Sequence, residues 1–166
     1  MHGVENLNLQ NPKSQNPKNS VMKIKLKSLP AIKRRIFKLV SLICRERAGY
    51  KCEVCGMKKG DLHNSKPQRV EAHHIFSRSI KDSPMKFDIK NLICLCTLCH
   101  KTGNKSAHKN PVWFGEWLRI NKPEQYTYVL EHFEDTVDLD DRNILDIIEK
   151  NLIEYRKTIN QPVVNT

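Results

Sequence analysis

The 166-residue sequence predicts a small α+β fold: a strand–loop–strand–helix centre stapled by zinc, with helices flanking it on both sides. Three observations carry this expectation. Two Cys-x-x-Cys pairs, Cys52/Cys55 and Cys96/Cys99, enclose residues 56–95, and two such pairs read as one four-thiolate zinc site. Between and beside them lie short apolar runs of extended character at 68–76 and 91–95. Outside them the apolar residues recur at helical spacing.

The elements follow in order. Residues 1–28 are rich in Asn, Pro, Lys, Gln and Ser, with too few apolar groups to offset chain entropy, and read as a disordered basic arm. Residues 29–110 form the next unit. From Pro30, a residue suited to a first helical turn, Ile32, Ile36, Leu39, Val40 and Ile43 trace a helix that Gly49 ends. Its basic residues Lys33, Arg34, Lys38, Arg45 and Arg47 either lie along a phosphate backbone or solvate an ordinary amphipathic helix. Gly56 permits the turn of the first knuckle, and 56–67 reads as loop. Residues 77–90 form a polar loop, and a short helix starts near Thr97 and weakens at Gly103-Asn104. Residues 111–166 make a helical extension. Trp113, Phe114, Trp117 and Leu118 form one apolar set; Tyr126, Val129, Leu130 and Phe133 form a second. Asp140 or Asp141 caps a third helix carrying Ile144, Leu145, Ile148 and Leu152. The Trp pair reads as core packing before base stacking.

Charge is uneven along the chain. The net charge is +11, made of +9 over residues 1–50, +7 over 51–110 and −5 over 111–166. A basic front with an acidic end points to a polyanionic partner, nucleic acid first. The acidic last helix is expected on the basic first helix or on a protein partner. The longest apolar stretch, 36–44, is broken by Lys38 and Ser41, so no membrane span is expected. Residues 1–20 lack the apolar centre of a secretory signal, which leads to an expected cytoplasmic location. Cys44 reads as a buried thiol, as does Cys94, because the register from Asn91 favours Cys96 as the ligand.

Three further features interlock between residues 70 and 108: Glu71-Ala72-His73-His74-Ile75, Asn91-Leu92, and His100 attached directly to the second knuckle at Cys99. Together with the two Cys pairs they make residues 50–110 resemble the HNH endonuclease family, whose centre is a ββα-metal fold. The runs His74-Ile75-Phe76-Ser77-Arg78 and Ser106-Ala107-His108-Lys109-Asn110-Pro111 are most similar to recombination-type HNH nucleases of bacteriophages, which would place the protein in a host-cell cytoplasm.

The resemblance implies a DNA-cutting, metal-dependent phosphodiesterase. It makes His74 the general base, with Asn91 bonding across the loop to hold it, and His73 and His100 ligands of a catalytic divalent ion. That ion would be Mg²⁺ or Mn²⁺, with Ni²⁺ or Zn²⁺ tolerated by a His-rich set. The family's further ligand position, one helical turn after His100, is occupied here by Asn104. His108, which a straight helix would carry roughly 12 Å from His100, is the preferred alternative if Gly103 breaks the helix. Arg78 is the candidate phosphate contact, with an ion pair to Asp88 as its structural alternative, and Glu71 is placed to orient a ligand. A catalytically silent, zinc-dependent nucleic-acid-binding module is the competing reading; it needs the cysteines but not the histidine set.

Overall fold

A computed structural model describes residues 27–161. The basic arm expected over residues 1–28 therefore lies outside the described residues except for its last two. The first helix, α1, spans Leu29–Arg47, with Pro30 in its first turn. It buries Ile32, Ile36, Val40, Ile43 and Cys44, the stripe its periodicity marks, and each fully buried Ile is worth about 1.5–3 kcal/mol of transfer free energy. Gly49, at φ +58°, turns the chain after the helix, a conformation that costs glycine little.

The expected loop at 56–67 contains a small hairpin, β1 (Leu62–His63) paired antiparallel with β2 (Lys66–Pro67). Its two-residue turn puts Asn64 and Ser65 at φ +49° and +62°, and strands of two residues are too short to leave a periodic signal. The central hairpin pairs β3 (Val70–His74) with β4 (Leu92–Cys96) antiparallel, from Val70 opposite Cys96 to His74 opposite Leu92. Every residue of β4 is buried, so Leu-Ile-Cys-Leu-Cys reads as a continuous apolar run rather than an alternation. In β3 the faces differ. Ala72 and His74 face α1, whereas Glu71 and His73 face the segment after β4.

That segment is not the short α-helix expected from sequence. Leu98–Thr102 forms a single π turn, closed by the Gly103 N–H donating to the Leu98 carbonyl at 2.9 Å. A Cβ at position 103 would stand 2.9 Å from that same carbonyl oxygen, so the close approach needs glycine. Past Gly103 the chain doubles back, with the Ala107 and His108 N–H groups donating to the Cys99 and His100 carbonyls at 2.8 and 3.2 Å.

Three helices complete the molecule: α2 (Pro111–Asn121), α3 (Pro123–His132) and α4 (Arg142–Ile159). Asn110 caps α2 by accepting from the Trp113 N–H, and Asp141 caps α4 by accepting from the Asn143 N–H. Phe114 and Leu118 of α2 are buried, and Trp113 and Trp117 pack half-buried against the same core. The last helix lies on the basic α1 of the same chain, but within Arg142–Ile159 it carries three acids and four bases, not the acidic excess expected of it. Glu149 pairs with Arg35, Asp140 with Lys33 at 2.6 Å, and Glu46 with Arg156 through two bonds of 2.7 and 2.8 Å. No helix among the described residues is long and apolar enough to cross a membrane.

Candidate active site

Two groups of potential metal ligands stand out among the described residues. In the first, the sulfurs of Cys52, Cys55, Cys96 and Cys99 all lie within 4.8 Å of one another. Gly56, at φ +75°, makes the tight turn that brings the first pair round. The Cys55 and Cys96 sulfurs are 3.7 Å apart, against about 3.8 Å for two thiolates on a tetrahedral ion with metal–sulfur bonds near 2.3 Å. The thiols also compete for protons. A hydrogen bond from Cys99 holds Cys52 down at about 4, while the Cys52 sulfur and burial push Cys99 up. Four sulfurs this close cannot all ionise without a cation among them, so the donor set fits a structural metal. Cys44 and Cys94 stand apart from the group. Burial pushes both thiols up to about 12, which leaves them as apolar core groups.

In the second group, one ring nitrogen from each of His73, His100 and His108 lies within 4.8 Å of the others. The ring centroids are 4.9 Å (His73–His100), 5.1 Å (His73–His108) and 4.8 Å (His100–His108) apart. The π turn and the fold-back past Gly103 bring His108 to this point, with its Nε2 3.1 Å from Nε2 of His100. Two nitrogens bound about 2.1 Å from one ion would be roughly 3.0–3.4 Å apart, depending on the angle between them. His100 is oriented from behind. Its Nδ1–H donates to Glu71 Oε2 at 2.8 Å, so in the neutral ring the Nε2 lone pair faces the other imidazoles. Lys101 donates to the same oxygen at 2.6 Å; with His100 it holds the Glu71 carboxyl below its usual range. Burial, with the nearby His100 and His108, pushes His73 down to about 3, so its ring is neutral near pH 7 and available to a metal. The Phe114 ring packs nearly perpendicular to that of His73, ring centroids 5.2 Å apart at 82°. Asn104 is exposed, just past the Gly103 that closes the π turn.

His74 points to the other face of β3. Its Nε2–H donates to the Lys86 carbonyl at 3.1 Å, which leaves Nδ1 with the lone pair, and among the described residues nothing bonds Nδ1. Burial lowers its pKa, opposed by the Lys86 carbonyl and aided by Arg78. Asn91 is fully buried and bonds across the loop. Its Nδ2 donates to the Phe76 and Met85 carbonyls at 3.0 and 2.9 Å, and its Oδ1 accepts from the Phe76 N–H at 2.7 Å. The amide touches backbone, not the His74 ring; Asn91 fixes the loop, and the loop's Lys86 carbonyl fixes the ring. Arg78 is exposed and stacks over Phe37 at 5.7 Å, while Asp88 is engaged by Tyr128 and the Lys90 N–H, so no Arg78–Asp88 pair forms.

One open cleft of about 930 Å³ is lined by Glu71, His73, His74, Arg78, His100 and His108, among others. The sequence reading missed Lys86, Lys101 and Phe114 as supports of this cleft. A backbone carbonyl leaves no residue-type signal, but Lys101 beside His100 and the helical spacing of Phe114 were both visible. A largely buried imidazole cluster that reaches an open cleft, beside a separate imidazole, can hold a cation and move a proton at one place.

Comparison with known proteins agrees over this region. Residues 52–102 match the family model described as HNH endonuclease. Searches of curated proteins and of solved structures gave no match. The matched segment begins at the first thiol of the four-cysteine group and contains β3, β4, Asn91 and the π turn, while His108 follows it. Over this segment, about a third of the chain, the sequence and its clustered potential metal ligands are similar to HNH endonucleases.

Proposed function

We propose that the protein is a divalent-metal-dependent endonuclease that hydrolyses DNA phosphodiester bonds, leaving a 5′-phosphate and a 3′-hydroxyl. The observation that carries this reading is the gathering of His73, His100 and His108 in the same cleft as His74, whose Nδ1 is free. The three imidazoles would hold the catalytic ion. When bound, that ion supplies Lewis-acid stabilisation of the phosphate and of the departing oxygen. His74 acts as general base: water attacks phosphorus and gives its proton to Nδ1, the P–O3′ bond breaks, and O3′ takes up a proton. Glu71 keeps His100 in the tautomer that presents Nε2. Asn91 and Lys86 keep His74 from turning, and Arg78 neutralises phosphate charge beside it. The four cysteines would hold a structural zinc, which would tie β4 to the π turn. The similarity to recombination-type phage nucleases, carried by residues 74–78 and 106–111, supports a role in DNA processing such as recombination.

A donor set of three nitrogens suits borderline metals better than Mg²⁺, which prefers oxygen. Supercoiled plasmid is therefore expected to be nicked faster with Mn²⁺ or Ni²⁺ than with Mg²⁺, and not at all without added divalent ion. Gel analysis of nicking with the zinc-loaded protein checks this. Binding without nicking under every metal would overturn the proposal in favour of the silent zinc module.

A further inference from the structure

The basic residues of α1 separate into working groups. Lys33 is ion-paired to Asp140 just before α4 and Arg35 to Glu149 within it, and Arg47 donates to the Ile89 and Leu92 carbonyls at 3.1 and 2.7 Å. Arg34, Lys38 and Arg45 make no ion pair among the described residues; Arg45 bonds only Ser41 Oγ, at 3.1 Å. With Ser41 they sit at spacings of four, three and four, one stripe of the helix. This stripe is one wall of a second open groove, about 560 Å³, whose other wall includes Ala72, His74 and Arg78. No Asp or Glu lines it. Its floor holds Phe37, whose ring meets His74 edge-on at 6.4 Å and carries the Arg78 guanidinium at 5.7 Å.

Ala72, His74 and Arg78 also line the imidazole cleft, so the two depressions meet at His74. Four cations with no acid among them attract a chain of negative charges, not a single anion. Arg34 and Arg45 are separated by about 16 Å of helix axis, the rise of roughly five nucleotides along one strand of a duplex. All three α1 cations lie outside the segment matched to the HNH family.

We infer that the groove between α1 and β3 is a DNA backbone-binding subsite, in which Arg34, Lys38 and Arg45 grip phosphates flanking the one delivered to His74. The inference rests on the nuclease reading above for what happens at His74, but not for whether DNA is bound. It adds a second contact surface, so that the strand is held on the α1 side of β3 as well as at the imidazole cluster.

The test uses the full chain and a fluorescent 30-base-pair duplex, with no divalent ion added, over a series of salt concentrations. R34A/K38A/R45A is expected to bind about 10–100-fold more weakly near 0.1 M salt and to lower the slope of log affinity against log salt by about 2–3. The control K58A/K66A/K150A removes the same charge from exposed sites elsewhere and is expected to keep most of the affinity. With Mn²⁺ added, the groove variant's loss is expected mainly in KM, not kcat. Wild-type affinity and slope in the groove variant, or an equal loss in the control, would overturn the inference. A groove-dependent affinity in a protein that never cuts would leave the subsite standing and sink the nuclease reading. Normal cutting with no effect of R34A/K38A/R45A would do the reverse.

Discussion

His74→Ala is expected to lower plasmid nicking by about 10²–10⁴-fold, the usual contribution of a positioned general base, while DNA affinity and bound metal stay at wild-type levels. The geometry separates this residue from its neighbour. His73 and His74 are adjacent in β3 and so point to opposite faces, His73 into the imidazole cluster and His74 towards α1 and the Lys86 carbonyl. Removing His74 thus deletes a proton acceptor without deleting a ligand. Its ring is half-buried against Phe37, so some loss of stability will accompany the change. A melting curve measures that loss separately. Addition of free imidazole is expected to restore part of the rate in the alanine variant, which a merely structural contribution would not allow. Equal cutting by wild type and variant would remove His74 from the mechanism.

The second large effect concerns the thiols. Cys96→Ser is expected to abolish zinc binding and cooperative unfolding together, whereas Cys94→Ser should keep its zinc. Cys96 ends β4, faces Val70 across the hairpin and places its sulfur 3.7 Å from that of Cys55. A structural zinc site is worth roughly 10–16 kcal/mol, as much as the whole net stability of an ordinary domain. Cys94 is equally buried, but its sulfur belongs to the core and not to the four-cysteine group. Exchanging that thiol for a hydroxyl costs about 1–3 kcal/mol for burying a polar group. Metal content per chain together with thermal denaturation distinguishes the two variants. Equal loss of zinc from both would contradict the ligand set.

Local chemistry made much of this fold legible before any coordinates. The spacing of Ile32, Ile36, Val40 and Ile43 marks the buried face of α1, and Asp141, one of the two cap candidates, caps α4, because periodicity and capping act within a few residues. The four thiols come together as their paired spacing implied. What sequence left open depends on where the chain returns to itself. The choice between Asn104 and His108 turns on a π turn closed at Gly103, and eight residues of sequence separation give no sign of a 3.1 Å approach between His100 and His108. The support of His74 by a backbone carbonyl had no residue type to announce it. The sorting of α1 cations into ion-paired and unpaired sets likewise required α4 to be placed. Arg35 and Arg34 are neighbours in sequence, and only the structure shows that one meets Glu149 while the other lines a groove.

The central claim is that three imidazoles share one exchangeable divalent ion beside an imidazole that does not bind it. Anomalous diffraction at the manganese edge, from crystals of the zinc-loaded protein soaked in Mn²⁺, tests this most directly. A single manganese peak among His73, His100 and His108, with His74 outside its coordination sphere, is the expected result. No peak at that position, or one that includes His74 as a ligand, would contradict the account.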